Sequence, residues 1–536
     1  MTTPIVLRGF ACNGIRGPAD RLPIRQARFV AQLFAGFGAL AAFSAAQAQV
    51  AAPNDPFFQS RGTWSQPYDD QWGLHRIGFD ATKEGAAAWA PEGRTPRAVT
   101  VAVIDTGLDY AHPDLARESI WTNPKEKLNG IDDDRNGFID DVIGWNFAEG
   151  NNNPWDRAGH GTLIAGVIAA ASNNALGVTG INPHARIMPL EVLNGAGHGR
   201  SSQIAAAIYY ALANGAQVIN LSLGGENLST LEQHAIRKAL EAGVVVVVAA
   251  GNLGRNTEGF GIADLQGAIV VAATDPNDQR ARFSNWGTNI GIAAPGVDIL
   301  GLRARDTDFV RTSRSASDAP QAAAMGSTTT VSAEPAAAAA DAGSTSSGGG
   351  APSAAVVGAD GQYYRASGTS FSAAFVSGVA SWLLSMRPEL NGTQVARMIL
   401  QSARDIGPPG VDAMTGYGLI DARAALAADP EFWIGSRIAA VDLNAHEGGD
   451  ARIRILGTSD ANSFASARVR AAPEAYPNDW IPLGAPLTQP VRSGVLAEVD
   501  PRLLHGARRW IVQLVTRHGN GREREARFLL DLGAAP

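Results

Sequence analysis

The stretch GVVVVVAAGN, Gly243–Asn252, decides the fold. Successive strand residues point to opposite faces, so five consecutive valines make a strand apolar on both sides. Strands buried on both faces belong to parallel sheets covered by helices, whereas antiparallel sheets commonly leave one face wet. The run is short and ends in Gly-Asn, which reads as a strand entering a turn.

Working outward, four similar β-branched runs are TVAVIDTG (Thr100–Gly107), ARIMPLEVL (Ala185–Leu193), AQVINLSLG (Ala216–Gly224) and AIVVAAT (Ala268–Thr274). Between them lie two helical patterns, SSQIAAAIYYALANG (Ser201–Gly215) and LSTLEQHAIRKALEAG (Leu228–Gly243). The second opens with a capping box, Ser229 and Glu232, and stops at Gly243. Alternating strands and helices predict an α/β fold: a doubly wound, mostly parallel sheet with helices on both faces. Such sheets bind ligands beyond the carboxyl ends of their strands. The residues at those ends are Asp105, Ser222 and Asn252.

A chain of 536 residues suggests two or three domains. Net charge is −7 and no basic cluster accompanies aromatic residues, so nucleic acid is not an expected partner. Cys12 is the single cysteine, which excludes a disulfide framework and a cysteine-based metal site. Near the N-terminus, Arg21, Arg25 and Arg28 precede the apolar run Phe29–Ala45 and the small-x-small triplet Ala46-Gln47-Ala48. This predicts a signal peptide over 1–48, export to the periplasm or beyond, and no stable membrane insertion after cleavage. An uncleaved anchor is the alternative, because the run approaches bilayer-spanning length.

From about 307 to 360 the composition turns to Ala, Ser, Gly and Pro, which predicts a disordered surface insertion. Beyond Leu426 the helical pattern stops. After an HGNG turn, Ala526, Phe528, Leu530 and Leu532 fall at period two with Glu523, Glu525 and Arg527 on the other face, so 428–536 is expected to form a small β-sandwich.

Singly, the polar motifs are ambiguous. ASGTSFSAAFVSGVA (Ala366–Ala380) crowds four hydroxyls at the start of an apolar helix, which capping alone would explain. A carboxylate in VIDTG, a histidine in GHGT and an asparagine in AAGN each fit turns or caps. Together they supply what acyl transfer needs: a hydroxyl nucleophile, a base, a carboxylate orienting the base, and an oxyanion donor.

The blocks VAVIDTGLDYAHPDL, GHGTLIAGVIAA, VINLSLGG, VVVAAGN and GTSFSAAFVSGVA resemble the signature segments of the subtilisin-like serine proteases. The chain order Asp, His, Ser is the one known for subtilisin, and it is recognised here through that likeness. The resemblance spans about Trp72 to Leu426, so a peptidase domain is expected over 49–427. It implies Asp105 as orienting carboxylate, His160 as general base and acid, Ser370 as nucleophile and Asn252 as oxyanion donor. It also implies that Ser222, Leu223 and Gly224 pair with an extended polypeptide substrate. Ser367, Thr369 and Ser372 keep the capping reading. The family's usual proline shortly after the serine is replaced here by the run Ala373-Ala374-Phe375. Two rival readings share these residues: an inactive binding module, and an esterase using the same triad. The complete set of four argues against the first, and the peptide-pairing edge against the second. A monomer is expected.

The loop NGIDDDRNGFIDDVIGWNF (Asn129–Phe147) places Asp132, Asp134 and Asn136 at EF-hand positions one, three and five, with Gly137 at six. Asp140 and Asp141 add carboxylates, while position twelve is Ile143 instead of glutamate. The pattern predicts structural calcium. The resemblance alone implies a second calcium site at Asp114 and Asn174.

Overall fold

The computed structural model describes residues 53–79, 96–225, 229–265, 267–307, 330–333, 356–358, 360–444 and 452–532. The signal peptide expected over 1–48, and most of the insertion expected over 307–360, lie outside the described residues.

The strands in chain order are β1 (Val99–Asp105), β2 (Trp145–Asn146), β3 (Ala185–Glu191), β4 (His198–Arg200), β5 (Val218–Leu221), β6 (Leu223–Gly224), β7 (Val245–Ala249), β8 (Ile269–Thr274) and β9 (Ile292–Pro295). The helices that matter here are α1 (His160–Ala169), α2 (Ser201–Ala213), α3 (Thr230–Glu241), α4 (Thr369–Met386) and α5 (Gly392–Gln401). Seven strands form one sheet in the order β2-β3-β1-β5-β7-β8-β9, and every neighbouring pair is parallel.

The valine run shows why the sheet is covered twice. Val245, Val247 and Ala249 join one apolar cluster with residues of α1, α4 and α5. Val246, Val248 and Ala250 join the other with residues of α2 and α3. Each parity of the strand therefore has its own helical layer, as period-two geometry requires. The capping box of α3 forms as expected, with Ser229 accepting from Leu231 N and Glu232 accepting from Ser229 N.

Helix α4 runs through the first layer, and all 18 of its residues are buried. Among the described residues it is the one helix long and apolar enough to cross a membrane, and the protein core covers it completely.

Four further strands follow: β10 (Ile299–Leu302), β11 (Thr330–Ala333), β12 (Val356–Val357) and β13 (Tyr363–Ala366). The low-complexity stretch was expected to hold no regular structure. Strands β11 and β12 depart from that, because backbone pairing makes little demand on side-chain composition; β11 lies between β4 and β6 in a small antiparallel sheet, and β12 pairs antiparallel with β13.

The C-terminal part comprises β14 (Ile434–Asn444), β15 (Arg452–Ala461), β16 (Phe464–Pro473), β17 (Ile481–Pro482), β18 (Val491–Val499), β19 (Arg509–His518) and β20 (Glu523–Asp531). They form two antiparallel sheets, β14-β15-β18 and β17-β16-β19-β20, closed over a shared apolar cluster. The HGNG turn joins β19 to β20, and Ala526 and Leu530 face the core. This small sandwich also takes in Val411 from the loop after α5, which pairs with Ala526 and completes its core.

Candidate active site

Strand β1 ends at Asp105, whose side chain is fully buried. Its Oδ1 lies 2.7 Å from Nδ1 of His160, and the same oxygen accepts from Thr106 N at 2.7 Å. The carboxylate fixes the tautomer: Nδ1 carries the proton and Nε2 is the basic nitrogen. His160 is the first residue of α1, set there by Gly159 in the left-handed region (φ 97°). Gly161 lets this turn approach β1, since a Cβ there would overlap the Gly107 carbonyl.

Asp156 organises the turn, and no sequence motif singled it out. It is buried and accepts from Thr106 Oγ1 (2.9 Å), Ala158 N (3.0 Å), Gly159 N (2.6 Å), Thr162 N (2.9 Å) and Thr162 Oγ1 (2.7 Å). Burial pushes its pKa up, and these donors work against that shift. Thr106 Oγ1 in turn accepts from Gly161 N at 2.9 Å, which ties the loop after β1 to the start of α1. Glu191, opposite Asp105 in the β1–β3 register, is buried; burial pushes its pKa up to about 8, against the pull of the Arg157 guanidinium 3.7 Å away.

Ser370 occupies the second position of α4, where unpaired N–H groups and the helix dipole favour negative charge. Its Oγ donates to Ser222 O at 3.3 Å, and Ser222 Oγ donates back to Ser370 O at 3.0 Å. A buried chain supports this pair: Ser377 Oγ donates to Asn220 Oδ1 (2.9 Å), and Asn220 Nδ2 donates to Ser222 Oγ (2.8 Å).

The hydroxyls around Ser370 do not cap α4 as expected. The N-cap position is Gly368, without a side-chain cap. Thr369 N instead donates to Asn252 Oδ1 at 2.9 Å, and Thr369 Oγ1 donates to the same oxygen at 3.0 Å. The cap thus arrives from the loop after β7, a tertiary contact that no local rule contains. Ser367 Oγ accepts from Asp298 N (2.9 Å), and Ser372 Oγ donates to Pro295 O (3.2 Å). Two donors on Oδ1 settle the amide's orientation and leave Nδ2 as the donating end. That end lies beside Gly368, where a built Cβ would sit 3.4 Å from it.

Ser222 follows β5, and Leu223 and Gly224 form β6. The ends of β1, β5 and β7, together with the starts of α1 and α4, therefore carry the expected residues at one edge of the sheet, where such folds bind ligands.

In the acidic loop, carboxylate oxygens of Glu126, Asp132 and Asp134 lie within 4.8 Å of one another. Glu126 was not anticipated. It is buried, its Oε1 accepts from Asp134 N (2.8 Å), and Oε2 has no hydrogen-bond partner. Asn136 N donates to both Asp132 and Asp134, each at 3.1 Å, and its side chain donates to Asp141 at 3.0 Å. Asp141 also accepts from Tyr210 Oη (2.5 Å) and Asn123 Nδ2 (3.0 Å), while Asp140 accepts from Asn129 N (2.9 Å) and Gly130 N (3.0 Å). The loop therefore gathers Asp132 and Asp134 with Glu126, engages Asn136 and Asp140 in its own turns, and ties Asp141 to Tyr210 of α2.

Asp114 and Asn174 meet as the resemblance implied, but as acceptor and donor: Asn174 Nδ2 donates to Asp114 Oδ1 at 2.7 Å. Val178 N donates to the other carboxylate oxygen at 2.9 Å, and burial raises the Asp114 pKa to about 7.

The Subtilase family profile matches residues 96–418, more than half of the chain. The chain is 37% identical over 248 residues to the thermophilic serine proteinase of Bacillus sp. (strain AK1), covering 46% of this chain and 52% of the relative. It is 34% identical over 274 residues to thermitase of Thermoactinomyces vulgaris, covering 51% of this chain and 83% of thermitase. It is 30% identical over 331 residues to subtilisin DY of Bacillus licheniformis, covering 61% of this chain and 90% of the relative. The chain belongs to the subtilase family, the subtilisin-like serine proteases.

Proposed function

We propose that this chain is an exported endopeptidase that cleaves polypeptides through an acyl-enzyme. The observation that carries the proposal is the 2.7 Å bond between His160 Nδ1 and Asp105, with Ser370 on a helix N-terminus next to an amide aimed by Thr369. His160 Nε2 takes the proton of Ser370 Oγ as the hydroxyl attacks the peptide carbonyl, and then delivers it to the leaving amine. Asp105 holds the imidazole and stabilises its charged form. The N–H of Ser370 and Nδ2 of Asn252 receive the oxyanion. Export rests on the arginines, apolar run and Ala-Gln-Ala triplet near the N-terminus.

The test compares hydrolysis of unfolded casein by the wild type and by Asn252→Leu. Loss of the oxyanion donor is expected to lower kcat by about 10²–10³ with KM nearly unchanged, a range measured for subtilisin's own donor and carried over here. A wild type inert toward casein would overturn the activity, and an Asn252→Leu enzyme of normal kcat would overturn this residue's role.

We also infer a structural calcium ion at Glu126, Asp132 and Asp134. Three carboxylates crowded together, one with a buried and unpartnered oxygen, fit a hard cation that accepts several oxygen ligands. Free calcium at a hundredfold above Kd adds about 2.7 kcal/mol to a protein that binds it only when folded. Chelator should therefore lower the melting temperature by several degrees, and added calcium should restore it. Glu126→Gln should shrink that response; a chelator effect of wild-type size in this variant would remove Glu126 from the site.

A further inference from the structure

Strand β11 is the central strand of a small sheet, and one of its outer strands, β6, follows directly on Ser222, which bonds to Ser370. Thr330, Val331 and Ser332 pair antiparallel with Arg200, Gly199 and His198 of β4. Ser332 and Ala333 pair antiparallel with Gly224 and Leu223 of β6. The two outer strands do not pair with each other. They define a slot one strand wide, since neighbouring strands lie about 4.8 Å apart.

The slot ends at the catalytic serine. The residue before Leu223 is Ser222, whose carbonyl accepts from Ser370 Oγ at 3.3 Å. Strand β11 runs from Thr330 beside Arg200 to Ala333 beside Leu223, so its direction is toward Ser222 and the nucleophile. A peptide presenting its acyl side to Ser370 along this edge would have the same polarity.

We propose that β11 is an intramolecular occupant of the substrate groove: it fills the slot for an extended peptide and has to leave before a substrate can pair there. This rests on the endopeptidase reading given above for what the groove normally takes. Strand addition through backbone hydrogen bonds is indifferent to most side chains. A segment of small and β-branched residues, Thr-Val-Ser-Ala, therefore suffices. Four residues bind weakly by themselves, but a segment of the same chain is present at an effective concentration on the order of millimolar. In sequence the strand is followed by Glu334 and Pro335. A prolyl nitrogen has no N–H, and its ring restricts the preceding residue, which suits a segment that is held and not cut.

The experiment measures binding without turnover. A fluorescent casein-derived peptide is titrated by anisotropy into full-length Ser370→Ala, with and without the added pair Val331→Pro and Ser332→Pro. Successive strand residues direct their N–H groups to opposite neighbours, so the two prolines remove one donor toward each outer strand. The prolines are expected to tighten peptide binding about tenfold, with an unchanged melting temperature. In the Ser370 enzyme they should lower KM for an extended peptide by a similar factor and leave kcat alone. Should a second variant, residues 326–340 replaced by Gly-Ser of equal length, bind like the proline pair, loss of pairing is the cause. Affinity unchanged or weakened in both variants, or no peptide binding to any of the three proteins, would overturn the proposal. Tighter binding by the variants in a chain that cleaves nothing would uphold the occupied groove while refuting the endopeptidase reading.

Discussion

Ser370→Ala is expected to lower kcat on unfolded casein by about 10⁶, the loss established for subtilisin's own serine and carried over here. The variant should keep its fold. Ser370 Oγ makes one long hydrogen bond, 3.3 Å to Ser222 O, and helix α4 is held by burial of all 18 of its residues. Removing that hydroxyl costs about 1 kcal/mol or less, so the melting temperature and its calcium response should match the wild type. The residual rate over water, from the oxyanion donors and binding alone, is of the order of 10³–10⁴. Casein cleavage above one hundredth of the wild-type rate in a verified Ser370→Ala preparation would mean that another residue attacks the peptide. Hydrolysis of esters but not of casein by the wild type would instead support the esterase reading.

The sheet was legible because its strands announce themselves. Runs such as Val244–Val248 are apolar at both parities and end in Gly or Asn, a pattern that surface strands lack. That Asp105, His160, Asn252 and Ser370 stand at or just beyond strand ends and helix starts was legible from the short segments that carry them. What the sequence withheld were relationships across the fold. Asn252 caps α4 from another loop, so the hydroxyls of Ser367, Thr369 and Ser372 looked like local caps. Thr369 turned out to aim the amide of Asn252. Glu126 sits between Lys125 and Lys127, where it reads as a solvated charge; only its burial reveals a ligand candidate. Asp156 hides in an Asn- and Pro-rich stretch that resembles an ordinary turn. Strand β11 was invisible for a different reason. Edge pairing uses the backbone alone, and composition cannot report it.

Asp105→Ala and Asp105→Asn should not behave alike. The alanine variant is expected to lose about 3 × 10⁴ in kcat, the loss measured for the corresponding subtilisin aspartate and carried over to this chain. KM should barely change, because this buried carboxylate has no path to the substrate. In this chain one oxygen, Oδ1, receives both the Thr106 N–H and the His160 Nδ1–H, each at 2.7 Å. An asparagine that places its carbonyl there accepts both hydrogens and preserves the tautomer. The flipped amide would set its NH₂ against the Thr106 N–H, two donors facing each other in a buried site. The favoured orientation puts the NH₂ where Oδ2 now lies, an oxygen without a hydrogen-bond partner. It therefore breaks no existing bond, although a buried unpaired amide costs about 1–3 kcal/mol of stability. Asparagine then keeps the imidazole oriented and loses only the charge that stabilises the imidazolium. Its kcat should exceed that of the alanine variant by at least about tenfold, roughly 1.4 kcal/mol of barrier. Proton NMR of the imidazole should show Nδ1 still protonated in Asp105→Asn. A kcat no better than alanine's, or a proton found on Nε2, would show that the shared oxygen is not what orients His160, leaving charge as the whole contribution of Asp105.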